Sequence, residues 1–338
     1  MLDGIFIFDC VAHRIDLSEA NMVARSDQDY VIEGLMEGAK LYQAPEYHDL
    51  SWRRAFSTQE MHDMLFVDAP QDMAMAQVVP QWEWFKDWYS PVKQQYEFAA
   101  AYPDRVLFCG GVDPLHRGLD AALELLDHQI TELGARSIKF YNGHVPHGWR
   151  CDDEELAYPL YERCGELGVN VIQFHKGLPF GTGNIEEMHP ADLQKVARDF
   201  PDMTIVLHHL AMPYVDEAIS IGARFPNVYL ALSANFQFFL TCPRQVIIWL
   251  GQCLQAVGSE RLLWGSEAAL SGGPMPYLKA FMEAEMPADL RDGFGYPEIT
   301  REDRENILGK NFARLMGVDI EAKKLELGLA ENGAAHAA

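Results

Sequence analysis

Short apolar runs separated by amphipathic stretches organise most of this 338-residue chain. The first, "IFIFDCVAH" at 5–13, carries four apolar residues into Asp9 and closes on His13. From residue 72 the runs are "DMAMAQVVP" (72–80), "RVLFCGGVD" (105–113), "ARSIKFYNG" (135–143), "VNVIQFHKG" (169–177), "MTIVLHHLA" (203–211), "VYLALSANF" (228–236) and "RLLWGSEAAL" (261–270). Between them lie segments such as "GLDAALELLDHQITELG" and "PRQVIIWLGQCLQAVG". Their apolar residues recur at three and four, and glycine closes the pattern, as expected of amphipathic helices.

Eight strands result, the last seven beginning roughly 25 to 34 residues apart, the length of one βα unit in a barrel. The expected fold is therefore α/β, a (β/α)8 TIM barrel, and near-continuous apolar strands fit a parallel sheet covered by helices. An open doubly wound sheet is the alternative; the G-x-G-x-x-G turn that would mark it after the first strand is absent. Residues 1–318 are read as a single barrel. Within them, 14–71 are an insertion between strands 1 and 2 that caps the barrel mouth, and 319–338 are a frayed C-terminal tail.

Composition enters mainly through what it excludes. A hydrophobic share of 49% supports a sizeable core. The formal charge of −23 argues against nucleic acid and anionic membranes as partners, because both demand clustered lysine and arginine. No stretch of 18 or more apolar residues occurs, so no membrane span is expected. The strand pattern begins within five residues of the start, which leaves no room for a signal peptide. Six cysteines without C-x-x-C spacing point to reduced thiols and a cytoplasmic protein.

The chemistry of such a barrel sits at the C-terminal ends of its strands. Reactive side chains collect there: Asp9 and His13 on strand one, Lys139 on four, His175 on five, His208 and His209 on six, Ser233 and Asn235 on seven, Glu267 on eight. Each alone has an ordinary structural explanation, such as a hydrogen-bonded core histidine or a helix-capping glutamate. Together, placements on strands one, five, six and eight surround one mouth. Neutral imidazoles with a carboxylate bind a divalent cation, and three protein ligands leave a position open. A further histidine can move protons. Alternation puts Asp9, Val11 and His13 on one face and lets only one of His208 and His209 enter the mouth.

These residues resemble the amidohydrolase superfamily, in particular its amidohydrolase-2 group, which includes aminocarboxymuconate-semialdehyde decarboxylase and the resorcylate-type decarboxylases. The resemblance spans about residues 3–318. It rests on "DCVAH" in the first strand, "IQFHKG" in the fifth, "VLHHLA" in the sixth, "LLWGSEAAL" in the eighth and the closing helix "ENILGKNFARLMGVD". It implies a barrel holding one divalent metal ion (Zn, Fe or Mn), with His13, His175 and Glu267 as ligands. His209 would then be the acid–base residue beside Glu267, with His208 packed against a covering helix. Lys139 matches a strand-four lysine common in the group. Val11 departs from the pattern, standing where the family has its first histidine.

Further candidates are Trp264 and Lys139 for substrate binding, Asp9 aimed toward the mouth, and His144 and His147 on the loop after strand four. The aromatic cluster "WEWFKDWY" (82–89) is expected either to shape a pocket or to pack the barrel wall. The reading is a metal-dependent hydrolase or decarboxylase acting on a small organic acid, amide or aromatic, as a homodimer by resemblance. The alternative, prompted by Val11, is a non-catalytic metal-binding barrel serving as an accessory or assembly factor for another metalloenzyme. A metal-free acid–base enzyme on the same barrel is a third reading.

Overall fold

The computed structural model describes residues 1–41, 43–48 and 53–329. All eight expected runs form strands: β1 (Phe8–Ala12), β2 (Met73–Gln77), β3 (Val106–Gly111), β4 (Ser137–Tyr141), β5 (Val171–His175), β6 (Thr204–Leu207), β7 (Val228–Ala231) and β8 (Leu262–Leu263). They lie in sequence order, and every neighbouring pair is parallel. Closure comes from the chain beyond β8. Cys10 N donates to Trp264 O at 3.0 Å, Glu267 N donates to Val11 O at 3.2 Å, and Ala12 bridges Ala268 in parallel. The barrel is thus the fold, and the open sheet is ruled out.

Strand alternation sorts the side chains into two cores. Ile7, Ala74, Ile138, Ile172, Ile205 and Leu230 face outward and pack with helix residues such as Leu126, Leu160 and Leu250. Phe8, Cys10, Met75, Cys109, Val171 and Val206 fill the barrel interior. Helix Asn311–Met316 closes the lower end, where Phe312 meets the Phe8 ring at a centroid distance of 4.7 Å. The amphipathic segments form helices Leu119–Thr131 and Pro243–Ala256, and Gly134 and Gly258 follow them with φ of 71° and 83°. Glycine adopts that left-handed backbone without a Cβ penalty, which explains its place after each helical pattern.

Two segments outside the repeat bear on the site. Between β1 and β2 the chain forms α1 (Gln28–Ala39), which buries Val31, Ile32 and Ala39 against the barrel. At the other end, residues Ile320–Glu326, placed within a frayed tail on sequence grounds, form a helix capped by the Asp319 carboxylate. Lys323 of this helix donates to Asp104 O at 2.9 Å. The rest of the expected tail, 330–338, lies outside the described residues.

Candidate active site

Three departures from ideal strand geometry build the site. The first is a register shift in β1 between Asp9 and Ala12. Because of it Asp9, Val11 and His13 do not share a face, contrary to the simple alternation. Val11 packs in the interior core with Cys10, its Cγ1 held where Gly265 lacks a Cβ. Asp9 instead turns to the β1–β8 seam: its Oδ1 accepts from Val11 N at 3.0 Å and Ser266 N at 2.9 Å, and its Oδ2 accepts from Gln71 Nε2 at 3.1 Å. Asp9 is therefore a fastener for the loop that carries Glu267 rather than a group at the mouth.

The second departure follows β6. That strand ends at Leu207, and His209, Leu210 and Ala211 take left-handed φ values of 61°, 45° and 48°. Such backbone costs on the order of 1 kcal/mol or more per non-glycine residue and concentrates at functional sites. Alternation no longer applies across this turn, so both histidines enter the barrel. His208 was expected to pack against a covering helix. It is an interior residue, with Nε2 2.8 Å from Gln173 Oε1 and Nδ1 3.2 Å from Ser233 Oγ.

The third departure is the left-handed Glu267, at φ 55°, in the segment that extends β8 beside β1. It brings the carboxylate to the histidines: Oε2 lies 3.4 Å from His13 Nε2, and Oε1 lies 3.7 Å from His209 Nδ1. His13 is held by Nδ1 donating to Gln77 O at 2.8 Å, which leaves Nε2 facing Glu267. His209 Nδ1 donates to Ser233 O at 3.0 Å, and His175 Nε2 donates to Leu178 O at 2.9 Å. The remaining nitrogens, His209 Nε2 and His175 Nδ1, face each other at 3.0 Å. Tyr141 packs against His175 at a ring-centroid distance of 4.2 Å, tilted by 33°, and receives the Phe180 N–H on its phenol oxygen.

Gly177 of the "HKG" motif lets two of these loops meet. A Cβ there would stand 2.1 Å from Met212 O. With glycine, Leu178 N donates to Met212 O at 2.9 Å, tying the β5 loop to the turn after β6.

The electrostatics keep the imidazoles of His175, His208 and His209 neutral and the carboxylate charged. Burial drives His175 and His208 well below the ordinary histidine value, and takes His209 to about 4 against the opposing pull of Glu267. Burial would raise Glu267, but His209, His13 and Lys139 outweigh it and hold the carboxyl well below its usual range. Lys139 lies two residues deeper on β4 than Tyr141, only 1% exposed, and makes no hydrogen bond among the described residues. Burial lowers it to about 8, against the attraction of Glu267.

This donor set fits a divalent cation. Glu267 Oε1 is buried with no hydrogen-bond partner among the described residues. Two neutral imidazole lone pairs 3.0 Å apart repel unless a proton or a cation lies at their edge. Ligating atoms of His208, His209 and Glu267 also lie within 4.8 Å of one another, although His208 uses both nitrogens on Gln173 and Ser233. His13, His175, His209 and Glu267 all line one cavity of about 770 Å³ at the barrel mouth.

The other sequence candidates lie elsewhere. Trp264 is fully buried outside the cavity, donating from Nε1 to Gln71 Oε1 at 2.9 Å and packing on Phe236, so it belongs to the barrel wall. His144 is buried between Glu83 (2.8 Å) and Asp113 (2.6 Å), which together raise it to about 10 although burial opposes them. A charged imidazole so enclosed offers no lone pair to a metal. His147 is exposed, 3.6 Å from Glu187. Of the aromatic cluster, Tyr89 lines the cavity, while Trp82 stacks on His144. Sequence reasoning passed over Gln77, Gln173 and Tyr141. Glutamine inside the apolar runs "MAMAQVV" and "NVIQFH" was the available signal.

Comparisons with known proteins agree with this architecture. A TIM-barrel protein of uncharacterized function from Bordetella bronchiseptica superposes with a TM-score of 0.67 at 21% identity, over 93% of this chain and 99% of that one. A 5-carboxyvanillate decarboxylase from Novosphingobium aromaticivorans, solved with bound manganese and a nitrobenzoic acid ligand, gives 0.57 at 15% identity, over 93% and 98%. At those identities the likeness concerns the fold. By sequence, protein fluG of Emericella nidulans is 34% identical over 96 residues, 28% of this chain and 11% of that protein, so the match spans about a tenth of that relative's length. The family described as amidohydrolase, in its amidohydrolase-2 form, matches residues 10–318. The chain belongs to the amidohydrolase family and is an enzyme of the hydrolase or carboxy-lyase type.

Proposed function

We propose that the chain is a metal-dependent hydrolase or decarboxylase acting on a small organic acid, amide or aromatic. One divalent ion (Zn, Fe or Mn) would be held by His13, His175 and Glu267, with His209 as the acid–base group. The supporting observation is the convergence on one cavity of Glu267 Oε1, which has no hydrogen-bond partner among the described residues, with the ring nitrogens of His13, His175 and His209. A bound ion supplies Lewis acidity toward a substrate oxygen.

The remaining work falls to the chain itself. Gln77 O and Leu178 O orient the two ligand imidazoles, the usual outer support of metal-binding histidines. Ser233 O holds His209 Nδ1, so a proton would be taken up or returned at Nε2, the nitrogen that faces His175 Nδ1. Val11 contributes no ligand, and the proposal does not require one from it. A homodimer, implied by the resemblance, and a cytoplasmic location, expected from the reduced cysteines, are part of the same reading; sedimentation tests the first.

The test is elemental analysis of protein purified without a histidine tag. About one divalent ion per chain is expected in the wild type, with most of it lost in His13→Ala and retained in His208→Ala. His209→Ala should keep the metal and lose turnover by on the order of a hundredfold or more. Retention of metal in His13→Ala together with its loss in His208→Ala would sink the proposed ligand set.

A further inference from the structure

The charge distribution around the cavity bears on what it can accept. Its walls are apolar and largely aromatic, formed by Val79, Tyr89, Tyr141, Leu178, Phe180 and Phe238. Its volume of about 770 Å³ is that of a site for a small organic molecule. The chain has 27 lysines and arginines, all within the described residues, yet none of them lines the cavity. Among the described residues, the charged groups of the lining are Glu267 on the floor and Glu33 and Glu37 on α1. Lys40, at 2.6 Å from Glu37, and Arg53, at 4.0 Å from Glu33, do not line it. Lys139 is level with Gln173, below the ring of His175, and is likewise outside the lining.

A negative group needs a counter-charge or several hydrogen-bond donors once water is removed. Among the described residues no lysine or arginine of the lining offers a counter-charge, so that of the proposed ion at the floor is left to the group that binds it. We infer that the substrate has a single group directed at the metal and an uncharged, apolar body of aromatic dimensions, with no second anionic group. This rests on the metal-dependent reading above. A second carboxylate would stand against Phe180, Phe238 or the α1 glutamates with nothing to neutralise it.

The inference is tested with p-toluate and terephthalate, which differ by a methyl group against a second carboxylate. Their Kd values are measured by calorimetry on the manganese-loaded chain and on the chelated chain. Terephthalate should bind on the order of tenfold more weakly than p-toluate. The gap should narrow in Tyr30→Arg, which adds a cation to the lining at an exposed position of α1 where folding is not at stake. Equal or tighter binding of terephthalate overturns the inference, and so does failure of the manganese-loaded chain to bind either compound. The two readings fail separately. A chain that retains no manganese yet ranks p-toluate first refutes the metal site alone, whereas a manganese-loaded chain that prefers terephthalate refutes the substrate class alone.

Discussion

At the scale of single residues, Asp9 shows how an acidic group beside the proposed metal site can be purely architectural. Its carboxyl receives two backbone N–H groups across the β1–β8 seam, one from its own strand and one from Ser266, 257 positions away. Burial pushes it up to about 6 from 3.8, although the bonds from Ser266, Val11 and Gln71 pull the other way. A raised folded value means that the native state holds the proton more tightly than the unfolded chain. The contribution to stability is therefore complete below pH ~4 and is lost as pH rises through about 6, by roughly 3 kcal/mol in all. Asp9→Asn should remove this slope. The difference between its denaturation free energies and those of the wild type, measured from pH 4 to 7, checks it; parallel curves would refute the assignment. The identity of His13, His175, His209 and Glu267 as strand-end residues was legible in the sequence, because each closes an apolar run. The direction of Asp9 and Trp264 was not, since it is set by Gln71 and Ser266, which no local pattern connects to them.

Among the elements, several loops after the strands are held to one another. Gly177 sits where the β5 loop touches the turn after β6, with φ of 67° and no space for a Cβ. Gly177→Ala should cost about 1–3 kcal/mol and displace His175 from His209. Turnover should then fall at temperatures where the variant is still folded, as unfolding curves run beside assays will show. Three further loops meet at His144, which joins Glu83 after β2 and Asp113 after β3. With His144 raised to about 10, its contribution is fully present below pH ~6.5 and lost as pH rises toward 10. The unfolding midpoint should fall across that window, less steeply in Glu83→Gln, where one of the two carboxylates is gone. An unchanged slope in the variant would contradict the ion pairing.

For the whole molecule, the proposed ligand set spans the closure of the barrel: His13 follows β1, His175 ends β5, and Glu267 follows β8. An ion bound only by the folded chain stabilises it by mass action, about 2.7 kcal/mol at a hundredfold excess over Kd. Chelation should therefore lower the thermal midpoint as well as abolish turnover, and restored metal should recover both. In His13→Ala the chelator should have little further effect on the midpoint. A midpoint indifferent to chelation in the wild type would count against a site that bridges β1, β5 and the extension of β8.

By itself the sequence determined the number, order and parallel arrangement of the strands, and the mouth at which the reactive side chains gather. Those properties follow from periodicity and from which residue ends each run, and both are local. Tertiary structure decided which of the polar residues face that mouth. A register shift in β1, three left-handed residues after β6 and a left-handed Glu267 each break the alternation on which a sequence reading depends. Each is held in place by contacts with segments remote in the chain. This is why His208 lies inside the barrel, Asp9 in its seam and His144 between two loops, positions that strand periodicity does not encode.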